Sequence, residues 1–81
     1  MGPSIKQKVY NILIRELDLP DEAVTDDADL VKDLGMDSID TLNIQTALQM
    51  ELEISLSEKE VIDISTVSQL VDVVYDKKSS H

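Results

Sequence analysis

The 81-residue sequence has no cysteine, no tryptophan and no phenylalanine. Its rings are Tyr10 and Tyr75, and its one histidine is the last residue, His81. Without cysteine there is no disulfide and no thiolate metal site. A lone terminal histidine has no sequence partner for catalysis or metal binding. The core must be built from Leu, Ile, Val, Met and Ala, and at this length it is thin, with a stability of a few kcal/mol. No apolar run approaches the roughly 20 residues of a membrane span. The start lacks the basic and long apolar regions of a secretory signal, so the cytoplasm is the expected location. Residues 1–81 are expected to form one domain with its core at about 4–76. Met1-Gly2-Pro3 and Ser79-Ser80-His81 are expected to be flexible tails, and need not all be native to the protein.

Basic residues are also scarce: 7 against 17 acidic, for a formal charge of −10. A nucleic-acid backbone or an anionic membrane would repel such a surface. Proteins with basic patches are the natural partners, and charge of this size speeds their encounter. Acidity that only maintains solubility is the plainer alternative.

Four helical segments are legible. The first runs from about Ser4 to Leu17, with Ser4 and Gln7 spaced as a capping box and Ile5, Val9, Ile12, Leu13 and Leu17 at helical spacing. A long connection follows over 18–36, well beyond the usual 4 to 6 residues or so. Leu30, Val31 and Leu34 are its expected apolar anchors, and Gly35 is expected at a backbone angle other residues resist. The second helix runs from Asp37 or Ser38 to Leu52, with Asp37 as N-cap and Asp40 at the capping-box position. A short third helix spans about Ser57 to Asp63, opened by Ser57-x-x-Glu60. The last spans about Thr66 to Tyr75, opened by Thr66-x-x-Gln69, with Val67, Leu70, Val71 and Val74 on one face. The reading is an all-α, small four-helix bundle, three longer helices plus one short, with a long first loop. Tyr10 and Tyr75 are expected half-buried, and Met36 partly exposed.

The second helix carries two apolar stripes. Ile44, Ala47, Leu48 and Leu52 suit the core. Ile39, Leu42, Thr46 and Met50 form a second group, which a bundle this small leaves at the surface unless the helix is central. An exposed apolar stripe of this kind marks a partner contact.

At the head of that helix stands Leu34-Gly35-Met36-Asp37-Ser38-Ile39-Asp40-Thr41. It puts one serine at a loop-to-helix junction between two aspartates and beside an apolar residue. No histidine or lysine lies near enough in sequence to activate Ser38, so it reads as a serine that another enzyme modifies. A helix N-terminus favours a phosphoryl group. Asp37 and Asp40 would repel one, unless they bind a basic partner or help position a metal ion in a modifying enzyme. The plain alternative is a helix-start serine. Asp26, Asp27, Asp29 and Asp33 fail the calcium-loop pattern, because Val31 and Lys32 stand where a ligand and a glycine are needed counting from Asp27. There is no nucleotide loop, zinc spacing or acid/base pair of an enzyme.

The segment Leu34-Gly35-Met36-Asp37-Ser38-Ile39-Asp40 resembles the prosthetic-group site of acyl carrier proteins, leucine, glycine, any residue, Asp-Ser-Leu. The resemblance extends from about Ile5 to Tyr75 through helix order, first loop and the Thr66-Val67 opening of the last helix. It implies an acyl-carrier-like, non-catalytic monomer bearing covalent 4′-phosphopantetheine on Ser38. A phosphopantetheinyl transferase with Mg²⁺ would attach that arm from coenzyme A. Acyl groups would ride on its thiol as thioesters, visiting acyl-loading, ketosynthase-type, reducing or acyltransferase enzymes of fatty-acid, polyketide or related lipid biosynthesis. Within the family apolar chains also shelter between the helices, and a core without Phe or Trp is compatible with that.

The resemblance maps partner recognition onto the second helix, at Asp37, Ile39, Asp40 and Leu42, extended by Thr46 and Met50. Fatty-acid carriers usually have a strongly acidic second helix, whereas Asn43, Gln45 and Gln49 are neutral here and Met50 is apolar. Much of the acidity lies at Asp21, Glu22, Asp26, Asp27, Asp29 and Asp33, and at Glu58, Glu60 and Asp63. That departure points at least as readily to a specialised carrier as to a housekeeping one, with docking by apolar contact more than by charge. Two other classes stay open: an aminoacyl or peptidyl carrier, and an unmodified acidic helical adaptor that binds protein partners.

Overall fold

The computed structural model describes residues 4–79. Four α-helices follow one another: α1 (Ile5–Leu17), α2 (Ser38–Leu52), α3 (Glu58–Ile62) and α4 (Val67–Ser79), with a 3-10 turn at Asp21–Ala23. Among the described residues the only bridge-type pairing is the isolated one between Asp29 and Thr66. This is the expected all-α bundle. The flexible tails expected at residues 1–3 and 80–81 lie outside the described residues.

Ser4 caps α1, its hydroxyl accepting from the Gln7 N–H at 3.1 Å. The reciprocal half of the capping box is not made: the Gln7 side chain turns along the helix instead, its Nε2 donating to Asn11 Oδ1 at 2.9 Å, one turn along. The helix closes on Asp18 in the left-handed region, φ 53°, and the next N–H, of Leu19, returns to the Ile14 carbonyl at 3.0 Å. That bond is the Schellman-type satisfaction of an otherwise orphaned carbonyl.

α4 runs to Ser79, past the expected end at Tyr75 and into the supposed tail. Lys77 and Lys78 in its last turn suit the negative helix end. Lys77 also pairs with Glu60 of α3 at 2.7 Å, tying the added turn to the bundle. Tyr75 faces outward, 59% exposed rather than half-buried, because the buried face of α4 runs through Val67, Leu70 and Val74. Tyr10 is half-buried as expected, with its hydroxyl donating to Asp26. Lys6 joins the same carboxylate at 3.0 Å.

The core takes Val9, Ile12 and Leu13 from α1, Ile44, Leu48 and Leu52 from α2, Val61 from α3, and Val67, Leu70 and Val74 from α4. α1 packs against α2 and α4, and α2 against α3. Ala47 and Val71 lie at the margin, half-buried.

The long first connection is a structured part of this core. Val24, Ala28, Leu30, Leu34 and Met36 are buried. Val31 and Met36 depart from the expected exposures. Val31 is 59% exposed and anchors nothing, whereas Met36 is 5% exposed. The cause is a tight turn. Asp29 Oδ1 accepts from the N–H groups of Val31 and Lys32 at 3.0 and 2.8 Å, and Asp33 Oδ2 accepts from Asp29 N–H at 2.7 Å. The turn points Leu30 and Leu34 inward and Val31 outward. The Met36 N–H then returns to the Leu30 carbonyl at 2.9 Å, which commits Met36 to the core. Gly35 takes the left-handed angle between them, φ 73°. The connection is stitched to the start of α4 by Leu30 N–H to Ser65 O, Val67 N–H to Ala28 O and Ser68 N–H to Asp26 O, at 2.9, 3.1 and 2.9 Å.

Candidate functional site

The turn delivers the chain to α2 in an extended step at Asp37, φ −109° and ψ −173°. Asp37 is the N-cap. Its Oδ1 accepts from the Asp40 N–H at 2.8 Å, and Asp40 Oδ2 accepts from the Asp37 N–H at 3.3 Å. The box is complete with the shorter acid in the third position. Each carboxylate therefore has one oxygen committed to the helix start. Thr41, which is 5% exposed, donates its hydroxyl to the Asp37 carbonyl at 2.8 Å and fixes the same residue from below.

Ser38 is the first residue of α2 and is exposed. Because Asp37 performs the capping, the Ser38 hydroxyl is not needed for it. This removes the structural reason for a serine at this position and leaves an accessible oxygen at the positive end of a 15-residue helix. Beside it, Ile39 is 70% exposed and Leu42 51% exposed; Met50, further along the helix, is 75% exposed. Thr46 is exposed too, with its hydroxyl turned back onto the Leu42 carbonyl at 2.9 Å. Of the residues singled out from the sequence, Asp37, Ser38, Ile39 and Asp40 share the head of α2, and Leu42, Thr46 and Met50 continue down it.

Two residues carry roles that the sequence reading did not give them. Gln45 donates through Nε2 to the Leu56 carbonyl at 2.8 Å, and Gln49 accepts through Oε1 from the Leu56 N–H at 3.1 Å. Together they hold the α2–α3 link onto α2. The signal was present as a pair of amides one turn apart, flanking the stripe of Ile44, Leu48 and Leu52. Further charge on α2 is also committed, since Glu51 pairs with Arg15 of α1, and that guanidinium holds its carboxyl below the usual range. Among the described residues no group of three or more acidic, histidine or cysteine side chains could hold a metal ion.

Residues 7–74 match the family described as "Phosphopantetheine attachment site". The sequence is 34% identical over 74 residues to acyl carrier proteins of Buchnera aphidicola subsp. Acyrthosiphon pisum, strains 5A, Tuc7 and APS. Each alignment covers 91% of this chain and 92% of the relative. The chain belongs to the acyl carrier protein family. Its cofactor is covalent 4′-phosphopantetheine. The head of α2 fits such a group: an exposed hydroxyl, at a helix N-terminus that favours phosphate, with the capping duty carried by its neighbour. Among the described residues no helix of this carrier is long and apolar enough to cross a membrane.

Proposed function

We propose that Ser38 is the attachment point of the phosphopantetheine arm, and that the chain works as one monomeric, non-catalytic carrier domain in the cytoplasm. The observation that supports this most is an exposed serine whose capping duty is already filled by Asp37. The arm supplies a thiol that carries acyl groups as thioesters. The chain's own residues do the rest. The Gly35 turn and the Asp37–Asp40 box hold Ser38 at a fixed junction. Ile39, Leu42, Thr46 and Met50 offer apolar surface to the transferase and to acyl-loading, ketosynthase-type, reducing or acyltransferase partners. Asp37 and Asp40 keep one carboxylate oxygen each for a basic group of those partners.

The pathway is one of fatty-acid, polyketide or related lipid synthesis, and we read this member as specialised. Asp40 and Glu51 are the acids within α2, and Glu51 is already paired with Arg15. Docking then rests on apolar contact more than on charge. Two measurements test the reading. Intact mass after incubation with coenzyme A, Mg²⁺ and a promiscuous phosphopantetheinyl transferase should rise by one phosphopantetheine, and Ser38→Ala should abolish the rise. Partner turnover should change little from low salt to several tenths molar, where the Debye length falls well below roughly 8 Å. A steep loss with salt would sink the apolar-docking reading and leave the attachment site untouched.

A further inference from the structure

A concave surface with no α2 residue in its lining lies between α3 and α4. It is a groove of about 480 Å³ lined by Glu60, Asp63, Ile64, Gln69, Asp72 and Val73. Gln69, Asp72 and Val73 stand at i, i+3 and i+4, so α4 presents them on one face. The floor is apolar: Ile64 is 8% exposed and Val73 half-buried. The rim is acidic. Glu60 already holds an ammonium, that of Lys77, at 2.7 Å. Asp63 and Asp72 are exposed and have no ion-pair partner among the described residues. The chain's own lysine thus shows what the rim attracts, and two further carboxylates remain to receive it.

We propose that this groove is a docking surface for a cationic amphipathic protein helix, distinct from the α2 face. Its lysines or arginines would meet Asp63 and Asp72, and its apolar side chains would cover Ile64 and Val73. An apolar floor inside an acidic rim selects for both features at once. A free polyamine would satisfy the rim and leave the floor uncovered. The proposal does not depend on Ser38, so its failure leaves the attachment site standing.

The test is a titration of the isotope-labelled full chain with a Leu/Lys amphipathic helical peptide of about 18 residues, five turns, followed by amide chemical shifts. The shifts should centre on Glu60 to Val73. Asp63→Asn/Asp72→Asn should weaken binding about fivefold, the loss of two surface charge pairs. Asp21→Asn/Asp27→Asn, an equal change of net charge in the first connection, should weaken it less than about twofold, and salt should weaken both complexes. Val73→Gln should weaken binding at unchanged charge. Shifts centred on α2, no shifts at the groove, equal weakening by the two double variants, or spermidine binding as tightly as the peptide would each overturn the proposal.

Discussion

The first connection, residues 18–37, and the helix that follows it distribute polarity in opposite directions. The connection turns its apolar residues Leu30, Leu34 and Met36 inward and uses the carboxylates of Asp26, Asp29 and Asp33 as backbone and side-chain acceptors. α2 turns the polar amides of Gln45 and Gln49 back onto the α2–α3 link and leaves Ile39, Leu42 and Met50 outside. A loop rich in acid thus behaves as core scaffold, while a helix rich in apolar residues keeps surface free. Bonding, more than residue type, therefore decides which groups remain available to a partner. Ser38 sits where the two regimes meet, on a start capped by Asp37 from the first and beside the open face of the second.

The comparison breaks if apolar residues of the two regions cost the same to remove. Leu30, fully buried, should lose about 3 kcal/mol as Leu30→Ala, from lost burial plus a cavity. Met50→Ala, at a site 75% exposed, should stay within about 0.5 kcal/mol. Urea unfolding of the pair measures both. Next in size is Gln49→Ala, which strands the N–H of Leu56, a residue 1% exposed, and should cost about 1–2 kcal/mol. Similar or slightly smaller is Asp37→Ala, which removes the N-cap at about 1 kcal/mol. Ser38→Ala beside it should leave the melting temperature almost unchanged, because the serine caps nothing.

The smallest effects are in pH. The Tyr10 hydrogen bond and then Lys6 lower the Asp26 carboxyl, Arg15 lowers that of Glu51, and Lys77 and then Ser57 lower that of Glu60. Lowered carboxyls stabilise the fold above their ordinary range, and that contribution disappears as pH falls through the lowered values. Tyr10 shifts the other way, to about 12, by desolvation first and by Asp26 next. Its contribution is complete below the ordinary value of 10.0 and is lost as pH rises through about 12. In Asp26→Asn the absorbance titration of Tyr10 should move back toward 10.0. No movement would show that the carboxylate is not its partner.

Much of this architecture is legible in the sequence because the signals are local. Caps at Ser4, Asp37, Ser57 and Thr66, and the buried face of α4, depend on spacings of three and four residues. The Asp37–Asp40 box and the left-handed Gly35 follow from the same short range. The parts that were not legible depend on distant partners. Val31 and Met36 exchange exposure because Asp29 and Asp33 tie a turn whose direction no periodicity encodes. The last turn of α4 is fixed by Glu60, on another helix. Gln45 and Gln49 read as mere absence of charge until Leu56 is placed beside them. At the candidate site, the accessible serine follows from the motif, whereas its release from capping needed the bonds of Asp37.

The most direct measurement is localisation of the arm after transferase loading. Trypsin cuts after Lys32 and Lys59, so a single peptide holds Ser38 together with Ser55 and Ser57. Fragmentation of that peptide separates the three. One phosphopantetheine should appear on fragments containing Ser38 and none on those holding only Ser55 or Ser57. An arm on either of the other serines, or a folded chain that several transferases leave unmodified, would contradict attachment at Ser38.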